Sequence, residues 1–341
     1  MTDPTPANGT YTGLNQNIPA NDYAEVIKFI TDKMDQMIAI EAKTNAMTAD
    51  PAFVQATGTA GTVKLATLET TGLGNYDKVK GYPRGGSSLT WQEYTLANDR
   101  AIGITVDRRD AQATGMLATA SAVLAEEMRS HVIPEVDATR MAKLWYVLDQ
   151  YKSANSNVKS GSKPSNANVI TELITGINSI ADATGREDGM TIYVNAELRT
   201  AIDTSSEVTK NIDIRDPSTG LNTVVRSIRG NQIVFVPSAR MFTKVALKDG
   251  YTAVYPDDSD IASDELDYTK YGFTSGDGAK EIYFAITTPG VANAVTAINA
   301  PKIISADVNQ QYDGDTFLYR IFHDLIVPKN KCPGAYMYVK S

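Results

Sequence analysis

Two histidines, His131 and His323, one cysteine, Cys332, and 40 acidic side chains are the groups from which a reaction centre would have to be built. A nucleophile activated by an imidazole needs one of those two histidines within hydrogen-bond reach of a serine or cysteine, with a third group to orient it. His131 falls in a helical pattern. His323-Asp324 falls in a strand, where neighbours point to opposite faces, so adjacency alone does not pair them. Both histidines read as structural. No Gly-x-Ser-x-Gly elbow occurs, and Gly276-Asp-Gly-Ala-Lys280 has neither the spacing nor the hydroxyl of a phosphate loop. The acidic run Asp257, Asp258, Asp260, Asp264, Glu265 and Asp267 lacks the alternating ligands and glycine of a calcium loop and reads as a solvated segment. Trp91 and Tyr94 have the right chemistry to stack on bases, but no basic groove accompanies them, so they read as packing groups. Lys78, Lys80 and Asn330 are loop residues that read as solvated.

Composition supports this absence of chemistry. The 341 residues are 42% hydrophobic and 21% charged, enough to bury a substantial core, and the net charge of -8 opposes a surface that grips phosphate. A lone cysteine allows no internal disulfide and no multi-cysteine zinc site. Met1 to Thr12 is polar without a basic start and apolar run, and no apolar stretch reaches the roughly 20 residues needed to span a bilayer. A cytosolic site of synthesis, no cofactor, no metal and no membrane partner are expected.

The elements that would position these groups follow from periodicity. The first residues read as a flexible arm, and apolar spacings of three and four predict an amphipathic helix from Asp22 to Ala42. Gly61 to Val106 changes to a two-residue period around a Gly/Pro/Lys segment, which predicts a long hairpin. Its tip, Gly72 to Gly86, carries five glycines and almost no aliphatic residues, so it has little to bury in a core of its own. Met116 to about Lys152 returns to helical spacing; a continuous rod would be roughly 50 Å long at about 1.5 Å per residue. Pro134 predicts a kink or two consecutive helices. After a loop from Ser153 to Ser165, helices over Val169 to Ala183 and Asn195 to Ile202 alternate with strands over Met190 to Val194 and Ile233 to Val236. A second loop, Tyr255 to Gly278, precedes strands at Ile282 to Thr287, Ala294 to Ile304, Thr316 to Val327 and Ala335 to Val339. The class is α+β.

Several segments, in order, carry a resemblance. Gly72-Leu-Gly-Asn-Tyr-Asp-Lys-Val-Lys-Gly-Tyr82 is similar to the tip of an extended hairpin, and Thr90-Trp-Gln-Glu-Tyr-Thr-Leu-Ala-Asn-Asp-Arg100 to its returning strand. Ile104-Thr-Val-Asp-Arg-Arg-Asp110 and Val132-Ile-Pro-Glu-Val-Asp137 resemble the approach to a spine helix. Tyr319-Arg-Ile-Phe-His-Asp-Leu-Ile-Val327, with Asn330-Lys331 before Gly334-Ala-Tyr336, resembles closing strands. Over Gly61 to Val339 the chain resembles the tailed-bacteriophage major capsid proteins with the Hong Kong 97 fold.

That resemblance implies an N-terminal arm and helix (1–60), an extended hairpin loop (61–106), a spine helix and peripheral domain (107–163), an axial domain (164–300) and closing strands of the peripheral domain (301–341). It implies a shell subunit in hexamers and pentamers, enclosing packaged double-stranded DNA without reading its sequence, resident in the virion and not an enzyme. A separate scaffolding protein and a portal are implied partners, with a decoration protein as a further candidate. Leu73, Tyr76, Asp77, Lys78, Lys80, Tyr82 and Arg84 at the hairpin tip are implied intersubunit contacts. The runner-up reading is an encapsulin-like nanocompartment of the same fold; an α+β hydrolase is the distant one.

Overall fold

A computed structural model of the chain describes residues 41–47, 54–56, 61–79, 81–107, 125–155, 157–205, 227–250, 271–304, 308–310 and 313–341. In chain order the strands are β1 (Val54–Ala56), β2 (Thr62–Thr70), β3 (Ser87–Thr95), β4 (Asn98–Asp107), β5 (Val158–Gly161), β6 (Thr191–Asn195) and β7 (Ser227–Ile228). They continue as β8 (Asn231–Val236), β9 (Val245–Leu247), β10 (Phe273–Ser275), β11 (Ile282–Thr287), β12 (Asn293–Ile304), β13 (Gly314–Ile326) and β14 (Ala335–Lys340). The α-helices are α1 (Ile133–Asn155), α2 (Val169–Thr184) and α3 (Arg199–Asp203).

A mixed six-stranded sheet in the order β5-β14-β11-β6-β8-β7 forms the centre, with β5 parallel to β14, β6 parallel to β8 and the other neighbours antiparallel. Strand side chains alternate between faces, and here both faces are buried. Tyr193, Ala285, Met337 and Val339 meet Met141, Leu144 and Leu148 of α1 on one side. Ile192, Val194, Phe284, Ile286, Tyr336 and Tyr338 meet Val169, Leu173, Ile177 and Ile180 of α2 on the other. Gly176 permits the close seating of α2, because a Cβ there would lie 2.8 Å from Ile286 and Tyr336 side-chain atoms.

Pro134 does not split the spine into two helices. Helix begins by residue 125, passes through a π-helical turn over Met128–Val132 and continues as α1, with the Ile133 amide donating to the Met128 carbonyl. Pro134 lacks an amide hydrogen and its ring crowds the carbonyl four residues back; the wider π turn accommodates both defects without ending the helix.

Three further sheets accompany this body among the described residues, the smallest being the antiparallel pair of β9 and β10. β12, β13 and β4 form a long antiparallel sheet, and Tyr319 and Ile321 of β13 are buried against Met128 and Val136. β2 and β3 form the hairpin, paired from Thr62↔Thr95 to Thr70↔Ser87, with β1 along the lower part of β2. The hairpin expected over Gly61 to Val106 therefore ends at Thr95. Leu96 turns into a small core with Val63, Leu65, Val295 and Ile326, and the chain leaves as β4 to pair with β13 from His323↔Asn98 to Gly314↔Asp107.

The expected loop over Ser153 to Ser165 contains the last turn of α1 and the strand β5, while β10 lies at the end of the segment expected as an acidic loop. Both strands are short edge pieces whose register comes from a partner, which local spacing does not encode. The helix expected from Asp22 to Ala42 lies outside the described residues apart from its last two positions, as do the acidic side chains at 257–267, Lys80 and the stretch 108–124.

Candidate assembly surface

Hairpin strands expose two faces, and the cross-strand register decides what each presents. Ala66↔Trp91 and Leu68↔Leu89 are direct pairs on the same face. Leu68, Leu89 and Trp91 are 66%, 58% and 43% exposed, an apolar ladder uncovered by the described residues. Below it, Lys64 pairs with Glu93 at 2.8 Å on the surface, a contact that fixes little stability. Tyr94 faces the other way, half-buried on the small core at the hairpin's base, its hydroxyl donating to Gln92 Oε1 at 2.7 Å. Tyr94 is thus the packing group expected, whereas Trp91 is not buried.

The tip is ordered by polar contacts instead of a core. The Thr71 amide donates to the Gly86 carbonyl at 3.0 Å, and the Gly86 amide returns to Thr71 Oγ1 at 2.9 Å. Asp77 and Gly81 exchange backbone hydrogen bonds, and Asp77 Oδ1 accepts from the Val79 amide at 2.7 Å. The Tyr76 and Tyr82 rings lie 5.2 Å apart, yet both remain mostly exposed, as do Leu73 and Val79. Of the implied contact residues, Leu73, Tyr76, Asp77, Lys78, Tyr82 and Arg84 all lie on this projection. The shaft ladder of Leu68, Leu89 and Trp91 extends the same surface. Sequence spacing did hold its signal, as period-two apolar residues on both strands, but the facing pairs require the register.

At the hairpin's root, Gly61 adopts φ +81°, and a Cβ there would stand 2.7 Å from the Phe322 ring. The Leu96 amide donates to the Gly61 carbonyl at 2.9 Å. The next amide, Ala97, donates to Asp324 Oδ2 at 3.2 Å, and the same oxygen receives Lys143 Nζ of α1 at 3.2 Å. Asp324 Oδ1 accepts from the Leu325 amide. Asp324 therefore spends its carboxylate on the root and on α1, not on orienting the neighbouring imidazole.

Along α1, Glu135 takes Arg100 of β4 in a two-pronged ion pair at 2.6 and 3.2 Å, while Arg100 also donates to the carbonyls of Lys248 and Gly272. Asp137 is fully buried and accepts from the Lys43 and Thr44 amides, Thr44 Oγ1 and Arg240. These charges fasten separate segments to one helix. Among the described residues no group of three His, Cys, Asp or Glu side chains is arranged to hold a metal, and none of the described helices is long and apolar enough to cross a membrane.

His131 is exposed and His323 is 2% exposed. Burial, reinforced by the Arg140 and Arg100 charges, pushes the His323 pKa from 6.5 down to about 4. The neutral form is thus the one folding favours, and an unfolded chain binds the proton more readily. Stability from this site is complete above pH 6.5 and lost as pH falls towards 4, by on the order of 3 kcal/mol. His323→Gln should flatten the fall in unfolding free energy between pH 7 and pH 4.5 measured by urea titration. An unchanged slope would show that His323 does not carry it.

The architecture has counterparts among solved structures, although no family profile and no curated protein sequence matches. The capsid of Cyanophage P-SCSP1u aligns with a TM-score of 0.56 at 10% identity over 86% of each chain. The mature capsid of bacteriophage PhiM1 aligns at 0.51 and 13% identity, covering 83% of this chain and 82% of that one. The chain carries the tailed-phage capsid fold. A structure from Mycobacterium phage Che8 adds a TM-score of 0.53 at 16% identity, covering 87% and 90%. On this capsid fold the apolar hairpin surface lies on a projection, and the described charged clusters lie in its anchorage.

Proposed function

We propose that this chain is a major capsid protein that self-assembles into the icosahedral head shell around packaged phage double-stranded DNA and catalyses no reaction. The observation that carries the reading is the hairpin, a projection with an apolar ladder and an aromatic tip that the described residues of its own subunit do not cover. Exposed apolar area of this kind marks an interaction surface. In a closed symmetric shell one such contact is repeated at every subunit, so a modest contact suffices. The likeness of fold to phage capsids supports a shell of hexamers and pentamers in the virion.

In this reading residues 1–60 are an arm and helix, 61–106 hold the extended loop, 107–163 and 301–341 form a peripheral domain around the spine, and 164–300 form the axial domain nearer the capsomer centre. Leu73, Tyr76, Asp77, Lys78, Lys80, Tyr82 and Arg84 contact the neighbour. A separate scaffolding protein and a portal are its partners, with a decoration protein as a further candidate. With a net charge of -8 the shell contains DNA without binding its sequence, because a basic lining would hold phosphate and hinder its movement.

Electron microscopy of the purified protein is expected to show capsomers, tubes or shells, and those particles, boiled in denaturant, should run as a single monomer band. A strictly monomeric species across concentration and salt overturns the assembly reading. A ladder of higher bands would reveal covalent links between subunits.

A further inference from the structure

The β9–β10 ribbon is rooted in the core at one end and held by a single side chain at the other. At its near end the Ile282 amide donates to the Met241 carbonyl at 2.9 Å, the Thr243 amide to the Lys280 carbonyl at 2.9 Å and the Lys280 amide to Thr243 Oγ1 at 2.8 Å. Met241, Thr243 and Ile282 are buried there. Further out the support changes. The ladder runs from Val245↔Ser275 to Leu247↔Phe273, no residue of either strand is buried, and Val245, Leu247 and Phe273 take no part in the apolar cores described above. A two-stranded ribbon without a packed face is marginally stable in water.

Its far end meets Arg100 of β4. Nη1 donates to the Lys248 carbonyl at 2.7 Å and Nη2 to the Gly272 carbonyl at 3.4 Å, and these two residues close the ladder through the Lys248 amide, which donates to Gly272 at 2.9 Å. The same guanidinium grips Glu135 of α1 through Nε at 2.6 Å and Nη2 at 3.2 Å. The two grips are unequal. A two-pronged pair with a carboxylate is stronger than bonds to neutral carbonyls, one of them long, so the carbonyls are released first.

We propose that Arg100 is a latch for the ribbon, from which β9 and β10 swing out together while β4 and α1 stay joined through Glu135. The joint lies at the near end, where the Gly276 amide donates to the Lys244 carbonyl at 3.0 Å and Gly278, at φ +65°, closes the turn that follows. The subunit thus has a movable ribbon with a fixed resting position. This is a property of the single subunit and does not rest on the proposed function.

The test is hydrogen exchange by mass spectrometry on the full chain, with every variant in the same assembly state and β11 amides as the gauge of global opening. In the wild type the ribbon, residues 245–248 and 272–275, should exchange roughly tenfold faster than α1 over 133–142. Arg100→Lys keeps a cation for Glu135 but lacks the planar fork that reaches three acceptors. Ribbon exchange should rise by a further factor of roughly ten, with 133–142 and β11 unchanged. Glu135→Gln leaves the guanidinium in place but slackens its seat, and should raise ribbon exchange by roughly threefold.

Unchanged ribbon exchange in Arg100→Lys would mean that the ribbon is held from its root alone, and the latch is overturned. A parallel rise over 133–142 also overturns it, because the ribbon and the spine then open as one unit. Should Arg100→Lys open β11 as well, Glu135→Gln decides, and a ribbon exchanging no faster than in the wild type ends the proposal. Failure to form shells bears on the proposed function alone.

Discussion

Replacing Gly72 to Gly86 by Asn-Gly is expected to leave the subunit folded and to prevent closed shells from forming. The deletion leaves Thr71-Asn-Gly between the paired Thr70 and Ser87, a three-residue connection with glycine available for the left-handed position. What it removes has almost no intramolecular burial to lose: Leu73 and Val79 are as exposed as in an open chain, and Tyr76 and Tyr82 touch chiefly each other. Hydrophobic stabilisation scales with apolar area withdrawn from water, so thermal unfolding should move by less than about 3 °C. Assembly should collapse, because the lost contact recurs at every subunit. Calorimetry and micrographs of the same preparation separate the outcomes. A large drop in unfolding temperature assigns the tip to the subunit's own core, and normal shells remove it from the assembly contacts.

Asp137→Ala is expected to be the most damaging single substitution in the body. The carboxylate is 0% exposed and takes bonds from two backbone amides, one hydroxyl and the Arg240 guanidinium. Alanine leaves those donors buried without an acceptor and leaves Arg240 without its counter-charge. Breaking a buried ion pair from one side costs about 3–5 kcal/mol. Urea denaturation should register that loss, with Asp137→Asn intermediate because one amide oxygen still accepts. A loss below about 1 kcal/mol would mean that the segment at residues 43–44 relaxes away and rehydrates the site.

The sequence speaks clearly where a single chain segment sets its own pattern. The strand expected at Ile282 to Thr287 is β11 to the residue, and the helix expected over Val169 to Ala183 is α2 with one residue more. The apolar runs there are long and bounded by turn residues. β5 was illegible for the opposite reason: Val158–Gly161 is a strand only because β14 lies beside it. The split between β3 and β4 was equally hidden, since both alternate and only the partner differs. At the hairpin tip the composition itself, glycine-rich and poor in aliphatics, announced a segment without a core. The anchorage was not announced, because Asp137 meets residue 44 from 93 positions away and Asp324 meets Ala97 from 227. No local spacing encodes such a meeting. At Pro134 the effect expected of the residue took the form of a change of helical pitch in the turn before it.

β14 occupies a position with a temporal meaning. It lies between β5 and β11, hydrogen-bonded to both, and supplies side chains to both cores, yet it spans residues 335–340. During synthesis every other strand of that sheet emerges first, and β5 and β11 have no neighbour between them until β14 is made. The hairpin is translated early, with its apolar ladder ready to stick, but the body that would present it stays unfinished until residue 340 has been added.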